Sequence, residues 1–142
     1  MILVIDASVA CKWFLRFRSD EEGVNQALAL LHQAVAGRAK VLQPPHFHAE
    51  MGAVLAREKP ETAQADIEDL LQLDFEIAGQ VDIYNRAVAL STRLGHHLFD
   101  TLYHAVALHY DDAILVTADL RYFGKAKYEG RIRLLNDLSG ND

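Results

Sequence analysis

Cysteine, proline and positive charge are all scarce in this chain of 142 residues, which has one cysteine, three prolines and one tryptophan. A single thiol, Cys11, excludes an internal disulfide framework and any cysteine-rich zinc module. Set among apolar residues of the first helical pattern, Cys11 reads as a buried small hydrophobe, and the compartment expected is reducing and cytoplasmic. No apolar run approaches the ~20 residues that span a bilayer, so no membrane partner is expected. The opening MILVIDAS has no basic leader, and its apolar run stops at Asp6, too early for a secretory signal core. Lys and Arg number 14 against 20 Asp and Glu, a formal net charge of -6. That balance argues against broad adhesion to nucleic acid, which depends on phosphate neutralisation. It leaves room for a local basic rim drawn from residues such as Lys12, Arg18, Arg57, Arg121 and Lys125.

Apolar residues, by contrast, make up 51% of the sequence. A domain near this size buries roughly 70% of its unfolded surface and needs no staple. One domain is expected over residues 1–135, with a short polar tail over 136–142 that frays.

The run from Met1 to Ile5 reads as a strand buried on both faces of a parallel sheet, with Asp6 at its carboxyl end. Val9, Trp13 and Phe17 then recur at helical spacing, and a second helix is predicted from about Asp20 to Ala36. Val41-Leu42 is a short apolar pair before Pro44-Pro45 and a helix carrying Phe47, Met51, Val54 and Leu55, with Glu50 on its flank. Pro60 is expected to start a helix to about Leu71, Phe75 to Ile77 a short strand, and Val81 to Leu94 a helix stopped by Gly95. The next helical stripe is Phe99, Leu102, Tyr103, Val106 and Tyr110, with Asp100 in its first turn. Ala113 to Val116 is a second buried strand, followed by Thr117, Asp119 and a helix to about Lys125; Ile132 to Leu135 closes the set. Strands alternating with helices call for right-handed crossovers and an α/β fold with a central parallel sheet. Ligand crevices in such sheets lie at the carboxyl ends of the strands, where Asp6 and Asp119 fall.

An unpaired charge beside a core is costly unless something uses it. Taken singly, Asp6 and Asp119 could cap the helices that follow them, Asp100 could sit at the positive end of its own helix, and Glu50 could be a solvated flank. Together they form a set of hard oxygen donors that repel one another unless some are protonated or a cation sits among them. Such donors favour Mg²⁺ or Mn²⁺ over zinc. A divalent ion so held could activate water and polarise a phosphodiester. Ser8 and Thr117 stand two residues from two of the acids.

Four segments in this order, VIDASVACKW at 4–13, PPHFHAEMGAVL at 44–55, FDTLYHAVAL at 99–108 and VTADLRYF at 116–123, make the chain resemble the PIN-domain ribonucleases. Within that family it is similar to the VapC-type toxins of bacterial toxin-antitoxin pairs. The resemblance implies a three-layer α/β/α fold and endonucleolytic RNA cleavage dependent on Mg²⁺ or Mn²⁺. It also implies a homodimer and a cognate antitoxin. The family's metal-binding acids fall on Asp6, Glu50, Asp100 and Asp119, and its hydroxyl positions on Ser8 and Thr117. Some members carry a further acid or Asn a few residues on; here Arg121, Tyr122 and Phe123 follow Asp119, so one bound ion is the expectation.

Other features carry less. His46 and His48 would face about 200° apart on one helix, and His96-His97 have no cysteine or H-E-x-x-H partner. His104, four residues after Asp100, could touch it or simply pack between helices. Trp13 and Tyr103 read as core. Lys12, Arg121 and Lys125 are candidates to contact RNA or phosphate. Two other functions fit less of the chain: an inert PIN scaffold that binds RNA or protein, and an aspartyl-phosphate phosphotransfer domain, which would want a second Asp where Ser8 stands.

Overall fold

The computed structural model describes residues 1–139; Gly140, Asn141 and Asp142 of the expected tail lie outside them. Among the described residues there are five strands, β1 (Ile2–Ile5), β2 (Lys40–Gln43), β3 (Glu76–Ile77), β4 (Ala113–Thr117) and β5 (Ile132–Leu134). They form one sheet in the order β3-β2-β1-β4-β5, and every neighbouring pair is parallel. Seven α-helices connect them: α1 (Ala7–Phe14), α2 (Val24–Val35), α3 (Phe47–Glu58), α4 (Ala63–Gln72), α5 (Val81–Leu94), α6 (Leu98–His109) and α7 (Leu120–Ala126).

The chain runs from β1 outward to β3, then returns past β1 to lay down β4 and β5. Right-handed crossovers therefore place α1 to α4 on one face of the sheet and α5 to α7 on the other, giving three layers. The packing agrees: α1 lies against α2 and α3, α3 against α4, and α6 against α5 and strands β1, β2 and β4. The uninterrupted apolar runs of β1 and β4 suit central strands covered on both sides, and Val4, Ile5, Leu115 and Val116 are buried.

The direction of strand order reverses between β1 and β4, and a crevice opens at their carboxyl ends. The end of β1 is fastened from both sides. Asp6 N–H donates to the Val116 carbonyl at 3.0 Å. On the other side, backbone register with β2 is formed at Ile2 and Leu3, and the fully buried Gln43 side chain takes over beyond it. Its Oε1 accepts from Ile5 N–H at 2.9 Å and its Nε2 donates to the Ile5 carbonyl at 2.7 Å. An amide side chain here replaces a peptide group and leaves no orphan at the strand end.

Several expectations need correction. The helix read through Val9, Trp13 and Phe17 stops at Phe14, with Leu15 as its C-cap, because the chain turns there. Arg18 N–H bonds back to Leu15 O. Phe17 is consequently 82% exposed, with the Arg16 guanidinium over its ring at 4.5 Å. Helix α2 starts after Gly23, whose φ of 71° suits glycine, rather than near Asp20. Pro60 lies in a turn, and α4 begins at Ala63. Cys11 is half-buried, not buried. At the C-terminal end, Leu138 joins the core, so packing extends past the expected start of the tail. Trp13 and Tyr103 are core residues, the indole N–H donating to Ala27 O at 2.8 Å. No helix among the described residues is long and apolar enough to cross a membrane.

Candidate active site

Asp6 leaves β1 directly into α1 and Asp119 leaves β4 into α7, each as the N-cap. Glu50 and Asp100 lie in the first turns of α3 and α6. Three layers thus converge on the carboxyl end of the sheet. A cleft of about 350 Å³ opens there, lined by all four acids together with Ser8 and Cys11 at one end and Arg57 and Glu58 at the other.

The capping roles considered for Asp6 and Asp119 are real and leave part of each carboxylate free. Asp6 Oδ2 accepts from Ser8 N–H at 3.3 Å, from the Ser8 hydroxyl, and from the Thr117 hydroxyl at 3.2 Å. Asp119 Oδ1 accepts from Tyr122 N–H at 3.0 Å. The same division holds on the two helices. Glu50 Oε1 accepts from the Tyr103 hydroxyl at 2.6 Å. Asp100 Oδ2 lies 2.6 Å from His96 Nε2 and 3.2 Å from His97 Nε2. Among the described residues, each of the four carboxylates therefore has one oxygen held by the fold and one with no hydrogen-bond partner.

Ser8 and Thr117 stitch β1 to β4 through this cluster. Ala118 N–H donates to Ser8 Oγ at 3.0 Å and Asp119 N–H to Thr117 Oγ1 at 3.1 Å. The hydroxyls thereby orient Asp6 and set the backbone that carries Asp119. Asp6 is 8% exposed, and burial, helped by the charges of Asp100 and Glu50 and opposed by the Ser8 hydrogen bond, pushes its carboxyl from 3.8 up to about 7. Burial and the neighbouring Glu50 likewise keep the Tyr103 hydroxyl protonated, as a donor to Glu50 must be. The cleft is short of positive charge.

A divalent cation fits that donor set. All four acids offer hard oxygens, and a cation among them would offset the burial and, to a lesser degree, the neighbouring negative charges that raise the Asp6 carboxyl. Among the described residues, the ligand atoms of His96, His97 and Asp100 come within 4.8 Å of one another.

Sequence reasoning undervalued three side chains. His96 and His97 hold Asp100, which i,i+4 and i,i+3 spacing could have signalled. Tyr103 is core in its ring and polar at its tip, and only the fold brings that tip to Glu50. His104, by contrast, bonds the Tyr122 hydroxyl at 2.9 Å and Gly130 O at 2.8 Å, away from Asp100. His46 packs against Phe99 and Tyr103, with Nε2 3.9 Å from Glu50.

The three basic residues expected to contact RNA or phosphate do not line the cleft. Lys12 is largely buried in an ion pair with Glu21 at 2.8 Å. Lys125 donates to Gly95 O at 3.0 Å. Arg121 is exposed and stands outside the cleft wall.

Comparison with known proteins agrees with this architecture. The solved structure of VapBC2 from Rickettsia felis bound to a DNA fragment from their promoter contains a chain that matches with a TM-score of 0.69 at 17% identity, covering 94% of this chain and 98% of that one. A chain of VapBC-1 from nontypeable Haemophilus influenzae matches with a TM-score of 0.61 at 14% identity, covering 96% and 100%. At such identities the likeness is one of fold. No curated protein matches the sequence significantly. The PIN domain family model matches residues 3–127, most of the described chain, and the protein belongs to the PIN-domain family.

Proposed function

We propose that the protein is an endoribonuclease dependent on Mg²⁺ or Mn²⁺, the VapC-type toxin of a toxin-antitoxin pair, acting in the cytoplasm as a homodimer restrained by a cognate antitoxin. The observation that carries this reading is the division within each acid, one oxygen held and one open, around a cleft where burial, with Asp100 and Glu50 adding to it, pushes Asp6 up to about 7. An inert scaffold has no use for carboxylates so poised. Its four-acid donor set is the one expected to hold a single ion.

Asp6, Glu50, Asp100 and Asp119 would hold that ion, which supplies activation of water and charge neutralisation at the phosphodiester. Ser8 and Thr117 keep Asp6 in one orientation. Tyr103 does the same for Glu50, and His96 with His97 for Asp100. Holding the donors before substrate arrives removes a reorganisation cost from the reaction.

A zinc-loaded site is the second reading, favoured by His96, His97 and Asp100 lying within 4.8 Å. The deciding experiment induces the wild type and Asp100→Asn in a host and maps new RNA 5′ ends across the transcriptome. It is paired with cleavage assays in Mg²⁺, Mn²⁺, Zn²⁺ and EDTA. Discrete cuts from the wild type alone, supported by Mg²⁺ or Mn²⁺, are expected. Cleavage indifferent to EDTA or to the substitution refutes the proposal, and preference for Zn²⁺ moves the assignment to the second reading.

A further inference from the structure

Beyond its acidic end the cleft continues as a trough between two helix faces. Helix α3 presents Glu50, Val54 and Arg57 along it, and α1 with its cap presents Ser8, Cys11 and Leu15. Both series follow the i, i+3 or i+4, i+7 spacing that keeps side chains on one face. The trough thus grades from acid, through an apolar middle at Leu15 and Val54, to a cation. Arg57 is the one basic side chain in its wall among the described residues, and its side chain is 68% exposed.

Charge at that end is balanced, with Arg18, Arg57 and Lys59 set against Glu58, Glu61 and Asp66, so the pairing among them decides which cation is free. Glu58 lies between two guanidiniums, with Oε1 3.5 Å from Arg57 Nε and Oε2 3.2 Å from Arg18 Nη1. Arg18 also donates to Glu58 O at 2.8 Å. The two arginines hold the Glu58 carboxyl below the usual carboxylate range. One acid between two permanent cations leaves Arg57 donors for an incoming anion. Lys59 is not a rival, because its ammonium is engaged by Phe14 O and Asp66. Past Glu58 a second hollow of about 220 Å³ shares Leu15 and Glu58 with the first and is walled by Arg18 and Phe17. Phe17 is 82% exposed on this wall, with the Arg16 guanidinium over one face of its ring, and such a ring suits a platform for an unstacked base.

We propose that this trough carries the single-stranded substrate away from the acids, with Arg57 binding a backbone phosphate on the order of two nucleotides from the cleaved bond. The assignment rests on the ribonuclease reading above. Seven residues of α3 rise about 10 Å from Glu50 to Arg57, too far for the scissile phosphate. A stacked strand advances ~3.4 Å per nucleotide and an unstacked one further. Guanidinium and phosphate match as a forked donor to a bidentate acceptor. Such a contact fixes register without reading sequence.

The test uses short single-stranded RNAs carrying one neutral methylphosphonate at each position in turn. On the unmodified RNA, Arg57→Ala raises KM about tenfold, with kcat changed far less, and lowers the salt slope of log KM by about 0.7. In the wild type one methylphosphonate, about two nucleotides from the cut, raises KM similarly; in Arg57→Ala that modification adds nothing. Phe17→Ala raises KM for RNAs long enough to reach the second hollow and leaves shorter ones unaffected. Lys40→Ala, at the opposite end of the sheet, controls for net charge. In parallel, the Kd of an unmodified RNA for Asp100→Asn is compared with that for Asp100→Asn/Arg57→Ala, and weakening by about tenfold is expected even if no cleavage is seen. A KM and Kd for Arg57→Ala equal to those of the Lys40 control, or a methylphosphonate penalty that persists without Arg57, overturns the inference. Failure of the wild type to cut any RNA that Asp100→Asn spares bears instead on the ribonuclease reading.

Discussion

Replacing Asp6 with Asn is expected to stabilise the metal-free protein at pH 8 and to abolish its response to Mg²⁺. Burial in the cleft, reinforced by Asp100 and Glu50, moves this carboxyl from 3.8 to about 7. Between those values the folded chain holds a proton that the unfolded chain has released, so the contribution of Asp6 to stability falls as pH rises through this window. Above pH 7 the folded state carries the whole cost, at most about 4 kcal/mol. Asn is neutral throughout and keeps an acceptor for Ser8 and Thr117. In a chain of this size ~1 kcal/mol moves Tm by roughly 3 °C, so Asp6→Asn gains up to about 10 °C over the wild type in EDTA at pH 8. The gain shrinks towards zero near pH 4. Mg²⁺ at a hundred times its Kd then restores about 2.7 kcal/mol to the wild type and nothing to the variant. Differential scanning fluorimetry from pH 4 to 8, with EDTA and with Mg²⁺, reads all three effects. A difference between the two proteins that is flat with pH, or a variant less stable at pH 8, refutes the account.

Three further outcomes are expected. Gln43→Leu leaves Ile5 N–H and C=O unpaired beside the cleft, which costs about 2–4 kcal/mol in a denaturant titration. Tyr103→Phe frees Glu50, and Mg²⁺ affinity measured by isothermal titration calorimetry falls about tenfold, with little change in fold stability in EDTA. His104→Leu orphans the Tyr122 hydroxyl and the Gly130 carbonyl and lowers stability by about 2 kcal/mol. Burial also holds the His104 imidazole below its ordinary 6.5. The contribution of His104 to stability therefore falls as pH drops below that value, and the gap between the wild type and the variant narrows.

Periodicity located α5 to the residue, since Val81 to Leu94 is bounded by an exposed start and by Gly95 at φ 60°. The same periodicity overran α1, because Phe17 keeps the helical spacing while the chain has already turned at Leu15. Nothing in a pattern of apolar residues records that turn. The placement of Asp6 and Asp119 at strand ends was legible because a buried strand shows itself by an apolar run. What Glu50 and Asp100 face was not, since the side chains that hold them are distant in sequence for Glu50 and ambiguous in kind for Asp100. Gln43 escaped notice for a related reason. A polar residue at a strand end reads as the edge of a loop, whereas here it completes the hydrogen bonding of another strand. Arg57 was one of many basic residues until the faces of α1 and α3 were set opposite each other.

The bonds that join Asp6 and Ser8 to Thr117 and Ala118 connect residues 109 to 111 apart in the chain. Contacts of such separation close the largest loops and come late in folding. Synthesis is vectorial, so β4 and Asp119 are made after every element on the α1–α4 face. A nascent or prematurely terminated chain can fold much of its helical layer and still lack the stitch between β1 and β4 that assembles the acids. Completion of the polypeptide is thereby a condition for completion of the cleft, a timing built into the order of the strands.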